Sequence, residues 1–299
     1  MYEEFIVNSS GAELYCRRYG QGEPVVMVHG SCTDADYWND AAGVLSQRFC
    51  VWTYDRSGSG RSGESEDSSV AAQAQDLAAV IESARSAVGC TPVGTTVSEG
   101  RCSEEEDREN NDSASRESAP ARPLHLIGHS AGCMVMMEYL RRHPEFDGKV
   151  LLYEPPASRT AQGTPEYAAA REKVREKIAQ KRYAGALAAF MPLIGEQDPR
   201  GRERTQEELR GLDRNCRHFI MKEYTHLFSY LPDDESLRRM NVVIGVGELT
   251  HAAGKDGIYQ GLAGEIGAEV IYFPGAHNGP FDLPREFAWI AEGIFEARF

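Results

Sequence analysis

Short apolar runs alternate along the chain with longer stretches in which apolar residues recur at helical spacing. The short runs are rich in β-branched and aromatic residues and predict buried strands at residues 24–29, 49–54, 124–128, 149–154, 242–246 and 268–273. The longer stretches predict helices at residues 36–45, 70–88, 131–142, 257–266 and 284–297. An alternating segment at residues 12–19 predicts an edge strand. This order predicts an α/β fold in which a mostly parallel sheet carries helices on both faces.

Two segments interrupt this alternation. Residues 89–123 are dominated by polar and acidic side chains, which cannot bury enough apolar surface to offset the entropy of ordering, so we expect a disordered surface insertion. Residues 155–232 contain helical patterns only, at 166–182, 184–191, 206–215 and 218–230. We therefore expect a core formed by residues 1–154 and 233–299, with residues 155–232 as a helical cap above the carboxyl ends of the strands.

Composition and charge restrict the partners and the compartment. The formal net charge of −14 argues against nucleic acid or an anionic membrane as a partner, since both attract basic surfaces. No apolar run is long enough to cross a bilayer, and the first residues lack the basic and apolar character of a signal peptide. The seven cysteines are scattered and form no CxxC pair, so we expect neither a disulfide framework nor a metal site. A cytoplasmic protein without a cofactor is the resulting expectation.

The segment Gly128-His129-Ser130-Ala131-Gly132 fits the pattern G-x-S-x-G between a predicted strand and a predicted helix. A sharp turn in this context presents the serine hydroxyl at the top of the sheet, next to a helix N-terminus that favours negative charge. A serine hydroxyl is a weak nucleophile unless a base lies within hydrogen-bonding reach. Ser130 is therefore the predicted nucleophile.

His277 is the predicted general base. It follows the last predicted strand in the loop Pro274-Gly275-Ala276-His277-Asn278-Gly279, which opens at the same edge of the sheet as Ser130. The other seven histidines fit structural or solvated positions better, and the side chain of His129 is expected to point away from Ser130.

The turn His29-Gly30-Ser31-Cys32 ends the first buried strand. We predict that the backbone amides of Ser31 and Ala131 form the oxyanion hole, Ala131 being the residue after the nucleophile. Cys32 lies near this position, but no sequence feature supplies a base for it.

Together with the turn Asp55-Arg56-Ser57-Gly58-Ser59-Gly60-Arg61-Ser62, these motifs resemble the α/β-hydrolase superfamily in type and order. The resemblance extends over the whole chain apart from the acidic insertion. It implies the α/β-hydrolase fold and a Ser-His-acid triad, with an architectural role for Asp55 and Arg56.

The acid of the triad departs from the common pattern. Thr250 stands where an aspartate is usual, and a threonine cannot stabilise an imidazolium as a carboxylate does. Glu154, at the end of the strand before the cap, is the preferred candidate, because the zearalenone lactonases resemble this chain there and in the spacing to Tyr37-Trp38. Glu248 is the alternative acid; Asp256, Asp282 or an incomplete triad also stay open.

The expected reaction is cleavage of a carboxylic ester or lactone of a small organic substrate through an acyl-enzyme. Thioester or C–C bond hydrolysis stays open because those reactions also use a serine elbow, and Thr250 leaves open a non-hydrolytic protein that binds or cyclises a ligand. The expected partner is the small-molecule substrate, and the quaternary state, monomer or homodimer, stays open.

Overall fold

The computed structural model describes residues 1–88, 123–159, 165–193 and 198–297. Within them, eight strands form one sheet: β1 (Tyr2–Asn8), β2 (Glu13–Tyr19), β3 (Glu23–Val28), β4 (Phe49–Tyr54), β5 (His125–His129), β6 (Lys149–Tyr153), β7 (Asn241–Gly247) and β8 (Glu269–Phe273). The spatial order is β1-β2-β4-β3-β5-β6-β7-β8. Strands β3 to β8 run parallel to one another, whereas β2 pairs antiparallel with β4 and β1 pairs antiparallel with β2. The predicted mostly parallel sheet is confirmed.

Helices cover both faces of the sheet, and the helices predicted at residues 70–88, 131–142, 257–266 and 284–297 are confirmed to within one residue. The described helices are α1 (Asn39–Leu45), α2 (Val70–Val88), α3 (Ala131–Arg142), α4 (Pro165–Ala179), α5 (Tyr183–Phe190), α6 (Gln206–His218), α7 (Tyr224–Leu227), α8 (Asp234–Arg238), α9 (Glu248–Ala252), α10 (Gly257–Ile266), α11 (Gly279–Asp282) and α12 (Pro284–Glu296). Short 3-10 turns occupy Ala35–Trp38 and Met191–Leu193, and a π-helical turn occupies Phe219–Glu223. None of the helices in the described ranges is long and apolar enough to span a bilayer.

The apolar residues of the parallel strands divide between two cores. Val26, Leu126 and Leu152 face the core under α2 and α3, whereas Val25, Ile127 and Leu151 face the core under α1 and α12. Neighbouring residues of a strand point to opposite faces, so the continuous apolar runs of these strands supply both layers. The central strands are buried on both sides, and their carboxyl ends are fixed in register.

Three predicted elements were wrong in detail. Residues 12–19 do not form the edge of the sheet, because β1 pairs outside β2. β1 is mostly exposed, and its apolar run at residues 5–7 is only three residues long. The helix predicted at residues 36–45 begins as a 3-10 turn. The helix predicted at residues 218–230 is a π-helical turn followed by the short helix α7.

Between β6 and β7 the described residues form helices and turns without a strand. The capping box between Thr205 and Glu208 fixes the start of α6. The predicted insertion at residues 89–123 falls almost wholly outside the described ranges, which resume at residue 123.

Candidate active site

Ser130 occupies the sharp turn between β5 and α3. Its φ of 50° and ψ of −122° lie outside the regions that non-glycine residues normally adopt. A Cβ on Gly132 would stand 2.5 Å from the carbonyl oxygens of Val28 and His29, and one on Gly128 would stand 2.5 Å from Met136 Sδ. Both flanking glycines are therefore required by close packing, which holds Ser130 at the N-terminus of α3.

His277 lies in the loop after β8 and is paired with Glu154. The Nδ1 of His277 and the Oε2 of Glu154 are 2.6 Å apart, and both residues are buried. The other carboxylate oxygen, Oε1, accepts a hydrogen bond of 2.9 Å from the amide of Gly247. The amide of Glu154 in turn donates to the carbonyl of Gly245. The end of β6 is thus fastened to β7 while its carboxylate orients the imidazole.

The other candidate acids lie elsewhere. Glu248 is exposed at the start of α9. Asp256 is 2.7 Å from the Nδ1 of His251, and Asp282 accepts from the amide of Asp198 at 3.4 Å. Within the described part of the chain, Glu154 is the carboxylate that pairs with His277.

Ser130 and His277 line a common cavity of about 170 Å³, together with Ser31, Cys32 and Asn278. His277 also lines a second cavity of about 310 Å³, which it shares with Glu154 and Thr250. The walls of the second cavity include apolar side chains from the helices around it: Tyr167, Ala170, Leu193, Leu249 and Ile258. The imidazole therefore lies between a small chamber that contains the serine and a larger, mostly apolar one.

The Gly30-Ser31 turn packs directly against the nucleophile. A Cβ on Gly30 would stand 3.0 Å from Ser130 Cβ and 2.7 Å from His129 Nδ1. Ala131 is the first residue of α3, so its N–H has no acceptor within the helix. The two amides that the sequence assigned to an oxyanion hole thus belong to adjoining segments beside Ser130.

The carbonyl of Gly30 is fixed by neighbouring donors. It accepts from Nη2 of Arg56 at 3.2 Å and from Nδ1 of His29 at 3.0 Å. The amide of Arg56 donates to Nε2 of His29, which leaves the proton on Nδ1, and burial lowers the pKa of His29 well below its ordinary value. The peptide unit between Gly30 and Ser31 is planar and trans, so its C=O and N–H point in opposite directions. Holding the Gly30 carbonyl therefore also sets the direction of the Ser31 N–H.

Arg56 belongs to a buried network that the sequence did not reveal. Its guanidinium pairs with Glu223 of the π-helical turn at 2.8 Å and 3.1 Å, and it also donates to Gln73 of α2. Arg56 and Glu223 are each 1% exposed. The preceding Asp55 accepts from the amides of Ala35 and Arg61 at 2.7 Å each. The Asp55-Arg56 turn is therefore hydrogen-bonded to the turn after β3 and to the π-helical turn.

His129 does not point away from the site, contrary to the expectation from the sequence. Its ring centroid lies 4.7 Å from that of His277, and its Nε2 is 2.9 Å from the His277 carbonyl oxygen. Burial lowers the pKa of His129 well below its ordinary value, so the neutral ring can donate to that carbonyl. Tyr37 stacks on the other side of the ring, with centroids 4.6 Å apart. His129 thus holds the backbone of the loop that carries His277.

The cysteines near the site are not activated thiols. Burial raises the pKa values of the Cys32 and Cys133 thiols well above their ordinary value, which disfavours the nucleophilic thiolate. Across the described ranges, no group of three or more His, Cys, Asp or Glu side chains is arranged to hold a metal ion.

Comparison with known proteins identifies related sequences. The family model described as the alpha/beta hydrolase family matches residues 25–288. An uncharacterised hydrolase, YraK of Bacillus subtilis strain 168, is 25% identical over 286 residues, which cover 93% of this chain and 90% of that protein.

Two solved structures share the fold at low sequence identity. The esterase EaEST from Exiguobacterium antarcticum superposes with a TM-score of 0.68 at 16% identity, over 99% of this chain and 100% of that chain. Est816, described as an enzyme that degrades N-acyl homoserine lactones, superposes with a TM-score of 0.62 at 20% identity, over 97% and 99% of the two chains. The chain therefore belongs to the alpha/beta hydrolase family and is a hydrolase of that type.

Proposed function

We propose that this protein is a serine hydrolase that cleaves a carboxylic ester or lactone of a small organic substrate through Ser130, His277 and Glu154. The observation that carries the proposal is the 2.6 Å contact between Glu154 Oε2 and His277 Nδ1. His277 lines the same cavity as Ser130. A buried carboxylate on Nδ1 fixes the tautomer of the imidazole and leaves Nε2 to accept a proton.

The proposed reaction begins with nucleophilic attack. His277 Nε2 takes the proton of the Ser130 hydroxyl as the oxygen attacks the carbonyl carbon of the substrate. Glu154 stabilises the imidazolium that forms, while the amides of Ser31 and Ala131 donate to the developing oxyanion. His277 then protonates the leaving alcohol, and the acyl group stays on Ser130.

Deacylation uses the same groups in reverse. His277 removes a proton from water, the hydroxide attacks the acyl-enzyme, and Ser130 recovers its proton as the acid product leaves. In a lactone the leaving alcohol stays attached to the acyl group, so ring opening gives a single hydroxy acid. The reaction as written requires neither a metal ion nor an organic cofactor.

Several observations support an ester or lactone of modest size. The cavities beside Ser130 and His277 measure about 170 and 310 Å³, at or below the range of roughly 300–1,000 Å³ that is typical of small-molecule sites.

Residues 155–232 are proposed as the cap: Met191 lines the serine cavity, and Tyr167 lines the larger one. The descriptions of EaEST as an esterase and of Est816 as a lactone-degrading enzyme are consistent with the proposed bond type.

Labelling with a fluorophosphonate, followed by intact mass measurement, tests this proposal. We expect one adduct on the wild-type protein, none on Ser130→Ala, and strongly slowed labelling of Glu154→Gln, because an unsupported imidazole activates the serine poorly. Glu248→Gln is the matched control and should label at the wild-type rate. Labelling of Ser130→Ala at that rate, or a folded wild-type protein that gives no adduct, would contradict the proposal.

A further inference from the structure

Arg204 lies where the serine cavity meets a second, more polar space. It lines the cavity of Ser130 and His277 and also a groove of about 740 Å³ between α6 and the sheet. Other side chains common to both spaces are Cys32, Thr33 and Leu212. Arg204 directly precedes Thr205, whose capping box with Glu208 holds the start of α6. The guanidinium is therefore carried by an anchored part of the backbone beside the serine cavity.

The guanidinium of Arg204 stacks on an aromatic ring and has no charged partner. Its Cζ lies 4.1 Å from the centroid of the Phe281 ring, in α11 just after His277. A stacked guanidinium still presents its N–H groups at its edge, where a carboxylate can accept two parallel hydrogen bonds. Arg204 opposes the rise in pKa that burial causes at Asp282, but none of the carboxylates in the described ranges is within 4.0 Å of it.

Arg202 contacts the same ring but is paired with carboxylates. Its Cζ lies 4.2 Å from the Phe281 centroid, yet its guanidinium is neutralised by Glu208 at 2.6 Å and Asp40 at 3.4 Å. Arg202 does not line the serine cavity, whereas Arg204 does. Two arginines thus contact one aromatic ring, and the one that lines the serine cavity has no carboxylate within ion-pair distance among the described residues.

The same cavity contains a buried hydroxyl without a hydrogen-bond partner. The hydroxyl of Ser31 is buried and has no hydrogen-bond partner among the residues that the structure describes, and Ser31 is 8% exposed. Buried polar groups are nearly always paired, so an unpartnered hydroxyl in a cavity wall indicates a position where a ligand oxygen can bind. Ser31 and Arg204 line the same space of about 170 Å³.

We propose that Arg204 binds a carboxylate carried by the substrate, so that the preferred substrates are short esters or lactones with a second, anionic group. This inference rests on the proposed function, because it identifies the substrate class of that same site. An anionic acyl group would place its carboxylate on Arg204 and its ester carbonyl at Ser130. The size of the cavity restricts the connecting chain to a few carbon atoms.

A matched pair of esters tests the proposal. Monoethyl succinate carries a carboxylate at the end of a short acyl chain, and ethyl pentanoate replaces it with an apolar end of similar length. The quantity measured is the ratio of kcat/KM for the anionic ester to that for the neutral ester. A charge-assisted contact predicts that Arg204→Gln lowers this ratio about ten- to hundredfold. Arg204→Lys should lower it less, since a lysine keeps the charge but loses the bidentate geometry.

Arg202→Gln is the control, since it removes the other arginine on Phe281 and should leave the ratio unchanged. An unchanged ratio in Arg204→Gln, or an equal fall in both arginine variants, would overturn the proposal. Failure of the inference is distinguishable from failure of the hydrolase proposal, because ethyl pentanoate cleavage and fluorophosphonate labelling do not require the anionic group.

A binding measurement keeps the proposal testable without turnover. Calorimetric titration of the Ser130→Ala protein with monoethyl succinate should show binding, and Ser130→Ala/Arg204→Gln should bind at least tenfold more weakly. Equal binding by the two proteins would overturn the inference even if no ester is hydrolysed. Circular dichroism of each variant confirms that the fold is retained.

Discussion

Arg56 and Glu223 form a fully buried ion pair, with Nη1 and Oε1 2.8 Å apart, that joins the sheet core to the helical segment above it. Arg56 also donates to the Gly30 carbonyl, so the same guanidinium contacts the turn that carries the Ser31 amide. The segment between β6 and β7 is thereby connected to the proposed oxyanion hole through one side chain. This connection leads to the first prediction.

Removing one partner of this pair leaves a buried charge without compensation. We expect Glu223→Ala to lower the free energy of unfolding by about 3–5 kcal/mol. The measurement is equilibrium unfolding in urea. Glu235→Ala, which breaks an exposed pair with Arg239 one helical turn away, is the control and should cost less than about 1 kcal/mol. Similar losses in the two variants would show that the buried pair does not hold the π-helical turn to the sheet.

The contact between Glu154 and His277 predicts a specific kinetic signature. Glu154→Gln should lower kcat by roughly 10³–10⁴-fold, because an amide cannot stabilise the imidazolium and can favour the wrong tautomer. KM should change little, since glutamine keeps the size of the side chain and Glu154 acts through the imidazole of His277. Steady-state kinetics with a neutral ester checks this, with the exposed Glu248→Gln as control. A large loss in the Glu248 variant instead would assign the acid to α9.

The close approach of Gly30 to the nucleophile predicts that even one methyl group is harmful there. An alanine Cβ would stand 2.7 Å from His129 Nδ1, so the turn must shift and carry the Ser31 amide with it. We expect Gly30→Ala to lower kcat about 10²–10³-fold, the effect of losing an oxyanion donor. Gly43→Ala is the control, because nothing lies within 4 Å of its Cβ position in α1. Full activity in Gly30→Ala would exclude this turn from the oxyanion hole.

The buried histidines predict a loss of stability in mild acid. Burial lowers the pKa values of His29 and His129 well below the ordinary value of 6.5. Below about pH 6.5 the unfolded chain binds protons that the folded state does not, so the free energy of unfolding falls as the pH falls toward the folded-state pKa values. Each imidazole contributes a slope of up to about 1.4 kcal/mol per pH unit in that window.

Urea unfolding between pH 7.5 and pH 5.5 measures this slope. His29→Gln should make the slope shallower by up to the contribution of one histidine, because glutamine does not titrate. His226→Gln, which replaces an exposed histidine, is the matched control. Identical slopes in wild type and His29→Gln would mean that His29 is protonated equally in both states.

Much of the fold and part of the candidate site could be predicted because they depend on local sequence. The buried strands and the helices α2, α3 and α10 have apolar periodicities that identify them within a few residues. The turn at Ser130 needs glycines at fixed positions on either side, and that requirement is visible in five consecutive residues. β1 was missed because its apolar run is only three residues long and most of its side chains are exposed, so the strand is defined by its pairing with β2.

The amino-acid sequence by itself determined the layered α/β architecture, the serine turn and the late histidine loop, because each depends on neighbours along the chain. Only the tertiary structure decided which carboxylate pairs with His277. Glu154 and His277 are 123 positions apart, and they meet because β6 lies beside β7 and β7 beside β8 in the sheet. The Arg56–Glu223 pair, 167 positions apart, and the unpaired charge of Arg204 have the same origin: a side chain's partners are set by packing in three dimensions, which no single stretch of sequence encodes.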